Sequence, residues 1–344
     1  MKKYNKIFSA VMSLLIMFSM YGSAKADSTG EVITIGANLN ANQKKEILNY
    51  FGVSADNPDI IYVNNQQERK YLSGIAPDRQ IGNVTMSSSY VVPTTDGGIN
   101  VKTSNITWVT SSMIASTLST AGVENANVVA AAPFPVSGTG ALTGITMAFE
   151  KSSGEKLTEE KKKLANQELV TTGNIAEEVG NDKASGIIND AKKDVIKDNL
   201  TSEKDIEKKV EEIANNYNVN LSTGNINIIV NLLKDVSAQN YDYNEVKDTL
   251  NNVSANVRSS LKNAGENINV DGIIEKASSF LRNNKDANEF FNKFDESKLS
   301  KDAIVSTTTS GIENVQKIAG DVGQQVEQSG FFDKIINFFK SLFN

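Results

Sequence analysis

All five prolines of this 344-residue chain precede Glu150, and none follows Lys151. Proline lacks a backbone donor and breaks helix interiors, so its distribution limits where long helices can form. From Lys151 onward, lysine and glutamate alternate with apolar residues at i, i+3 and i+4, the helical period. From Asp27 to Glu150 the chain holds many β-branched runs, with six basic and ten acidic residues. Lys151-Ser-Ser-Gly-Glu-Lys156 reads as the hinge between these two grammars. The predicted class is α+β: an N-terminal mixed-sheet α/β domain over 27–150, then an all-helical C-terminal region over 151–328.

In the first region Val32 to Gly36 reads as a strand, and Asn40 to Phe51 as a helix closed by Gly52. Ile60 to Val63 is a second strand, followed by a helix from Gln66 to Leu72. Two extended runs, Val84 to Val92 and Ile99 to Val109, flank Asp96-Gly97-Gly98, a hairpin signal. Thr110 or Ser111 can cap a helix from Ser112 to Ala121. A strand over Asn127 to Ala132 and a helix over Gly140 to Glu150 complete the order β-α-β-α-β-β-α-β-α. The second region predicts helices over Thr158 to Val170, Ala184 to Asn199, Ser202 to Tyr217 and Tyr243 to Asn263, with Ser202 and Asp205 as a capping box. No fixed-period repeat appears, which disfavours a solenoid.

The chain opens with a basic Met1 to Lys6, an apolar run from Ile7 to Met20 and an Ala24-Lys25-Ala26 site. These are the parts of a cleaved secretory leader over 1–26, with Asp27 as the new N-terminus. The apolar run falls short of the roughly 18–20 residues that a membrane span needs. Removing the four leader lysines leaves 31 basic against 41 acidic residues, a net charge near −10. Such a balance gives no electrostatic footprint for nucleic acid. There is no histidine and no cysteine, so serine–histidine and cysteine–histidine nucleophiles, histidine metal ligands and disulfides are all excluded. No cofactor and no metal is expected, and no residue is assigned a catalytic role.

Ala131 to Gly144, A-A-P-F-P-V-S-G-T-G-A-L-T-G, ends an apolar run and turns glycine-rich before a helix. Read functionally, Ser137, Gly138, Thr139 and Gly140 would hold an anion at a helix N-terminus, with Arg69 and Arg79 supplying charge. The spacing of Gly138, Gly140 and Gly144 is G-x-G-x-x-x-G, which matches neither the dinucleotide fingerprint nor a phosphate loop ending in G-K-[ST]. A structural turn accounts for more of the residues: Pro133 and Pro135 would end the strand and Ser137 or Thr139 would cap the helix. Gly140, Ala141, Gly144 and Ala148 would then let it lie close to the sheet, with Leu142, Ile145 and Phe149 as its buried stripe.

Seven motifs then occur in one order: Glu31 to Asn40 with Gln43, Asn49-Tyr-Phe-Gly52, Glu68-Arg-Lys-Tyr-Leu72, Gln80-Ile-Gly82, Ser88-Ser-Tyr-Val91, Asn105-Ile-Thr-Trp-Val109 and Pro133 to Thr139. Together they resemble the YpuA-like family of predicted secreted proteins of Gram-positive bacteria, a domain of unknown function. The resemblance covers roughly Glu31 to Asp198 and weakens beyond residue 200. It implies export and a shared α/β domain, and it carries over no activity or catalytic residue.

Other constellations have plainer readings. Asn267 to Ile274 imitates the start of a calcium loop, but Asn267 stands at its first position and Ser278 at its twelfth, where carboxylates are needed. Ser259-Ser-Leu-Lys262 has the S-x-x-K spacing without its companion elements. Carboxylates are the acid–base groups available, and in the first region Glu68, Asp78, Asp96 and Glu150 are candidates for a glycan-cleaving pair. Asp96 fits a turn, Glu68 a solvated helix face, and Trp108 a core position in the sheet. The C-terminal stretch 329–344 reads as an amphipathic helix: at about 100° per residue, Phe331, Phe332, Ile335, Ile336, Phe338, Phe339, Leu342 and Phe343 would share an arc of roughly 160°. That face could pack on the protein itself or in a homo-oligomer, on a protein partner, or on a membrane surface. The expectation is an exported, non-catalytic envelope or surface protein with a binding α/β module and a helical assembly region; the alternative is a carboxylate-dependent hydrolase or transferase acting on envelope glycans.

Overall fold

The structure, a computed structural model, describes residues 30–76, 78–266, 268–269, 285–300 and 302–308. The leader, the aromatic stretch 329–344 and most of the calcium-loop look-alike lie outside the described residues. Five strands come first: β1 (Val32–Gly36), β2 (Ile60–Val63), β3 (Ser88–Pro93), β4 (Ile99–Ile106) and β5 (Ala126–Val136). Between and after them run α1 (Ala41–Phe51), α2 (Asn65–Leu72), α3 (Asp78–Ile81), α4 (Ser111–Ala121) and α5 (Thr139–Ser153). The helical remainder holds α6 (Glu159–Val179), α7 (Asn181–Lys197), α8 (Glu203–Asn216), α9 (Thr223–Ser237) and α10 (Tyr243–Asn263), then α11 (Lys285–Phe291). A short 3-10 turn (Glu296–Lys298) and β6 (Val305–Thr307) follow. The fold is α+β, a mixed sheet with helices followed by a mostly helical remainder.

The sheet order is β2-β1-β3-β5-β4-β6. The β1/β2 and β4/β5 pairs are parallel, while β3 runs antiparallel to both β1 and β5. Along β5, Val128, Ala130 and Ala132 face one side while Val129 and Ala131 face the other, and all five are fully buried. This is the period of two that puts successive side chains on opposite faces. On the first side α4 and α5 lie on the sheet, and α6, α7 and α10 pack behind α4 in the same continuous core. On the second side α1 and the segment 285–299 form a separate aromatic core around Tyr50, Phe51, Tyr90, Phe290, Phe291 and Phe294.

Several local expectations are corrected. The strands flanking Asp96-Gly97-Gly98 do not pair as a hairpin, because β5 inserts between β3 and β4. A strand of small and branched apolar residues buried on both faces belongs at the centre of a sheet, and that outweighs the local turn signal. Strand β5 continues through Pro133 and Pro135. Its ladder with β3 stops at the Ser88–Ala131 pair, and β4 bulges between Ser104 and Ile106, so neither proline is asked for a ladder donor. At that bulge Asn105 takes a φ of 61° and its amide donates to the Ala132 carbonyl at 3.0 Å. Trp108 lies beyond β4 and is half-buried, with its ring against Gly173; a Cβ there would come within 2.0 Å of Trp108 Cζ2. Helix α9 escaped the periodicity reading, and the C-terminal region is not wholly helical, since β6 joins β4. Ser202 stands at the N-cap of α8 without a side-chain cap bond.

The helical layer is tied to the sheet layer by buried charge. Lys192 Nζ sits 2.9 and 3.1 Å from the two Glu168 carboxylate oxygens, and both residues are 1% exposed. The ammonium also donates to the Ser116 carbonyl at 2.7 Å and to the Thr120 hydroxyl at 2.8 Å, both on α4. Burial pushes the Lys192 ammonium below its ordinary value, against the pull of Glu168. A second cluster joins α7 to α10, where Asp190 accepts from Arg258 Nη2 at 2.6 Å and from the Tyr217 hydroxyl at 2.8 Å. Burial would raise the Asp190 carboxyl, but the Lys193 and Arg258 charges hold it below the usual range.

Removing one member of a buried pair strands the other charge, so Lys192→Met alone should cost about 3–5 kcal/mol. Replacing both, Lys192→Met with Glu168→Leu, should recover much of that loss in urea unfolding. Strictly additive losses in the four-protein cycle would show that the two residues do not act as a unit.

Candidate functional site

Strands β1, β2, β4 and β5 share one direction, and each leads straight into a helix, so four carboxyl ends and the N-termini of α1, α2, α4 and α5 gather along one edge of the sheet. In open α/β sheets this edge is where ligands collect, because helix N-termini present unpaired N–H groups there. Three of the four helices are closed by their own side chains. Asn40 and Asn64 form capping boxes with Gln43 and Gln67, and the Thr110 hydroxyl accepts from the Met113 amide at 3.2 Å. The fourth, α5, begins at the glycine turn, and its N-cap is Gly138 with no side-chain cap bond. The cap is therefore neither Ser137 nor Thr139. Gly138 takes a φ of 91°, and a Cβ there would lie 2.2 Å from Ile106 Cγ2, so conformation and space both demand glycine.

The turn is served by a carboxylate from inside the protein. Glu68, on α2, is 1% exposed, which corrects its reading as a solvated face. Its Oε1 accepts from the Thr139 hydroxyl at 2.6 Å and its Oε2 from the Thr85 hydroxyl at 3.1 Å. A Cβ on Gly140 would meet Glu68 Oε2 at 3.0 Å, so the bare glycine lets the carboxylate approach the first turn of α5. Burial raises the Glu68 pKa above its ordinary value, opposed by the hydrogen bonds of Thr139, Thr85 and Asn65.

The structure brings Ser137, Gly138, Thr139 and Gly140 together at this turn, with Ser137 half-buried at its mouth and the other three buried. Arg69 points elsewhere. Neighbours on a helix diverge by about 100°, and while Glu68 turns toward α5, the Arg69 guanidinium serves the 78–83 segment. It bonds Asn65 Oδ1 at 2.8 Å, Asp78 at 2.7 Å and the Gly82 carbonyl at 2.7 Å. Arg79 lies on α3, and its side chain is outside the described residues. The role of Glu68 was visible in one signal only. It stands four residues before Leu72, which is fully buried, and so on the same helix face.

Where α5 meets α6, an open groove of about 530 Å³ is lined by Glu150, Lys156, Glu159, Glu160 and Lys162 among others. Lys162 Nζ lies 3.1 Å from Glu150 and 2.6 Å from Glu159, and Glu159 also meets Lys70 Nζ at 2.7 Å. Hydrogen bonds from Lys162, then from Lys70, draw the Glu159 pKa down to about 2. Glu159 is thus a fixed anion near neutrality, unsuited to give up a proton to a leaving group. Of the other carboxylates considered, Asp78 is held by Arg69 and Asp96 is exposed in the β3–β4 connection. Among the described residues no group of three carboxylates stands together as a metal site.

Residues 35–253 match the family described as protein of unknown function DUF1002. The chain is also 37% identical over 243 residues to the uncharacterized protein YpuA of Bacillus subtilis (strain 168), an alignment covering 70% of this chain and 83% of that protein. No solved structure matches. The family span takes in the glycine turn, Glu68 and the α5–α6 groove.

Glu68→Ala would leave two hydroxyls, Thr139 at the start of α5 and Thr85, without their acceptor, and should cost about 2–4 kcal/mol. Formate should restore part of the lost melting temperature by refilling the position. Because the folded-state pKa of Glu68 is raised, its contribution is complete below the ordinary 4.5 and is lost as pH rises through the folded value. Glu68→Gln should therefore gain on the parent protein as pH rises from about 4.5. Melting curves from pH 4 to 8 that stay parallel for the two proteins would contradict this.

Proposed function

The chain belongs to the DUF1002 family of proteins of unknown function, and from that premise we propose that it is an exported, non-catalytic envelope or surface protein. Its sheet layer serves as a binding module and its helical layer as an assembly element. The leader pattern of residues 1–26 supports export. Among the described residues no helix is long and apolar enough to cross a membrane, so any hold on the envelope would come through recognition or through segments outside those residues.

The observation that carries the non-catalytic reading is the state of the acids. Glu68 is sealed beneath the glycine turn, and Glu159 is held ionised between two lysines. Acid catalysis on a glycan needs one carboxyl kept protonated and a second kept ionised across a substrate-sized gap. Instead, the groove at the α5–α6 junction carries Glu150, Lys162 and Glu159 in mutual contact, with Lys70 beside Glu159, a pattern suited to docking a polar envelope component. The rim charges would steer and orient such a component more than hold it.

Expression in a Gram-positive host followed by fractionation and N-terminal sequencing should find the protein outside the cytoplasm, beginning at Asp27. Purified protein should co-sediment with cell-wall material without releasing soluble sugar. A cytoplasmic protein with its first 26 residues intact would remove the export reading. Release of wall fragments that Glu150→Gln abolishes would replace the binding module with a hydrolase.

A further inference from the structure

The sheet has two parallel pairs, β1/β2 and β4/β5, and they differ in where the following helices go. After β4 and β5 the chain turns into α4 and α5 on the same face. After β1 it turns into α1 on the aromatic face, and after β2 into α2, which packs against α5 and α6 on the other side. Adjacent parallel strands whose helices part in this way open a crevice at their carboxyl ends, the place where open α/β sheets take their ligands. The segments around it are tied together. Ala37 N donates to the Val63 carbonyl at 2.8 Å, and Thr85 N donates to Asn38 Oδ1 at 2.9 Å. Beneath them the Glu68 carboxyl accepts from Thr85, from Thr139 and, at 3.5 Å, from Asn65, so one buried group joins the segments before β3, after β5 and after β2.

The side chains at this mouth share one chemistry. Asn38, Asn40 and Asn42 follow β1, Asn64 and Gln66 follow β2, and all five are exposed. The caps of α1 and α2 use the Oδ1 oxygens of Asn40 and Asn64 and leave their NH2 groups out. Carboxylates are favoured in the first turn of a helix. Yet α1 has none there, and the one in α2 is the buried Glu68. Of the three large apolar side chains exposed among the described residues, Tyr62 at 54% and Val84 at 42% belong to the segments that form this mouth. Lys44 Nζ lies 5.1 Å from the Tyr62 ring centroid, which places the ring beside α1. An amide sets a donor next to an acceptor, matching paired hydroxyls, and offers no charge to an ionic ligand. Apolar side chains beside a few such polar groups are the usual make-up of a ligand site, and an exposed ring suits the C–H face of a sugar. We infer that the crevice between the carboxyl ends of β1 and β2 binds a neutral oligosaccharide, read by Asn38, Asn42, Asn64 and Gln66 with Tyr62 as its apolar platform. The site shares no residue with the α5–α6 groove, and the inference stands whether or not the protein is exported.

The test titrates the isotope-labelled full chain with neutral probes, maltotetraose, cellotetraose and chitotetraose, and with the acidic tetragalacturonate. The side-chain amide resonances of asparagine and glutamine report binding. At millimolar concentration at least one neutral probe should shift the resonances of Asn38, Asn42, Asn64 and Gln66 saturably, and tetragalacturonate should not. The variant Asn42→Asp/Gln66→Glu exchanges two donors for carboxylates at first-turn positions that favour them. It should therefore melt no lower than the parent, yet bind the same probe about tenfold more weakly. Tyr62→Ala should weaken binding as well, whereas Ile228→Ala, at a similarly exposed position on α9, should leave it unchanged. The inference is overturned if no neutral probe shifts the crevice amides saturably, if the shifts fall at the α5–α6 groove instead, or if the acidic probe binds more tightly. Unchanged affinity in Asn42→Asp/Gln66→Glu overturns it too, because the amides would then be surface residues with no part in recognition.

Discussion

A strand that meets water on neither face obliges the chain to build two covers, and β5 is such a strand from Ala126 to Pro133. Its valines and alanines alternate into two separate cores, one closed by helices and the other by aromatic rings. Everything else in the architecture answers to that demand. Helices α4 and α5 are small and close-fitting on the first face, which lets α6, α7 and α10 stack behind them. Among the described residues the second face receives α1 from the early part of the chain, and the aromatic segment 285–299 arrives from nearly 200 residues beyond β3 to finish it. Burying apolar area at roughly 25 cal/mol per Å² rewards each cover only when it is complete.

Charge does the indexing. A lysine or carboxylate taken out of water is tolerated only when its partner is within bonding distance, so each buried pair marks one relative placement of two elements. Glu168 with Lys192 fixes α6 and α7 against the hydroxyl face of α4, and Asp190 with Arg258 fixes α7 against α10; the half-buried pair of Lys102 with Glu296 ties the 285–299 segment to β4. Hydroxyls supply the remaining partners, and α4, buried along its whole length, reads Ser-Ser-Met-Ile-Ala-Ser-Thr-Leu-Ser-Thr-Ala for that reason.

How much of this was legible in sequence depended on distance along the chain. The strand and helix order of the first region, the threonine cap at Thr110 and most helices of the second region follow from period and capping chemistry, which are local. The place of β5 between β3 and β4 is decided by which strand is apolar on both faces, a comparison between segments that a local turn signal such as Asp96-Gly97 cannot express. Strand β6 has three residues and no periodicity to reveal it; its identity comes from the edge it joins. The same holds at the glycine turn. The residues Ser137 to Gly140 read in sequence as a turn or an anion site, and the group that meets them is the Glu68 carboxyl, brought there by a helix packing that no spacing in the sequence encodes.

The pairing of β6 with β4 also sets a clock on folding. Strand β5 is complete at residue 136, yet the face it shares with Tyr50, Phe51 and Tyr90 waits for a segment ending at residue 308. At typical synthesis rates of about 5–20 residues per second, that interval is on the order of 10–30 s. Throughout it the nascent chain carries an aromatic surface beside an unpaired strand edge, the combination most prone to mispairing. In a chain of this design the aromatic face and the edge of β4 gain their cover only once β6, the last strand among the described residues, has been made.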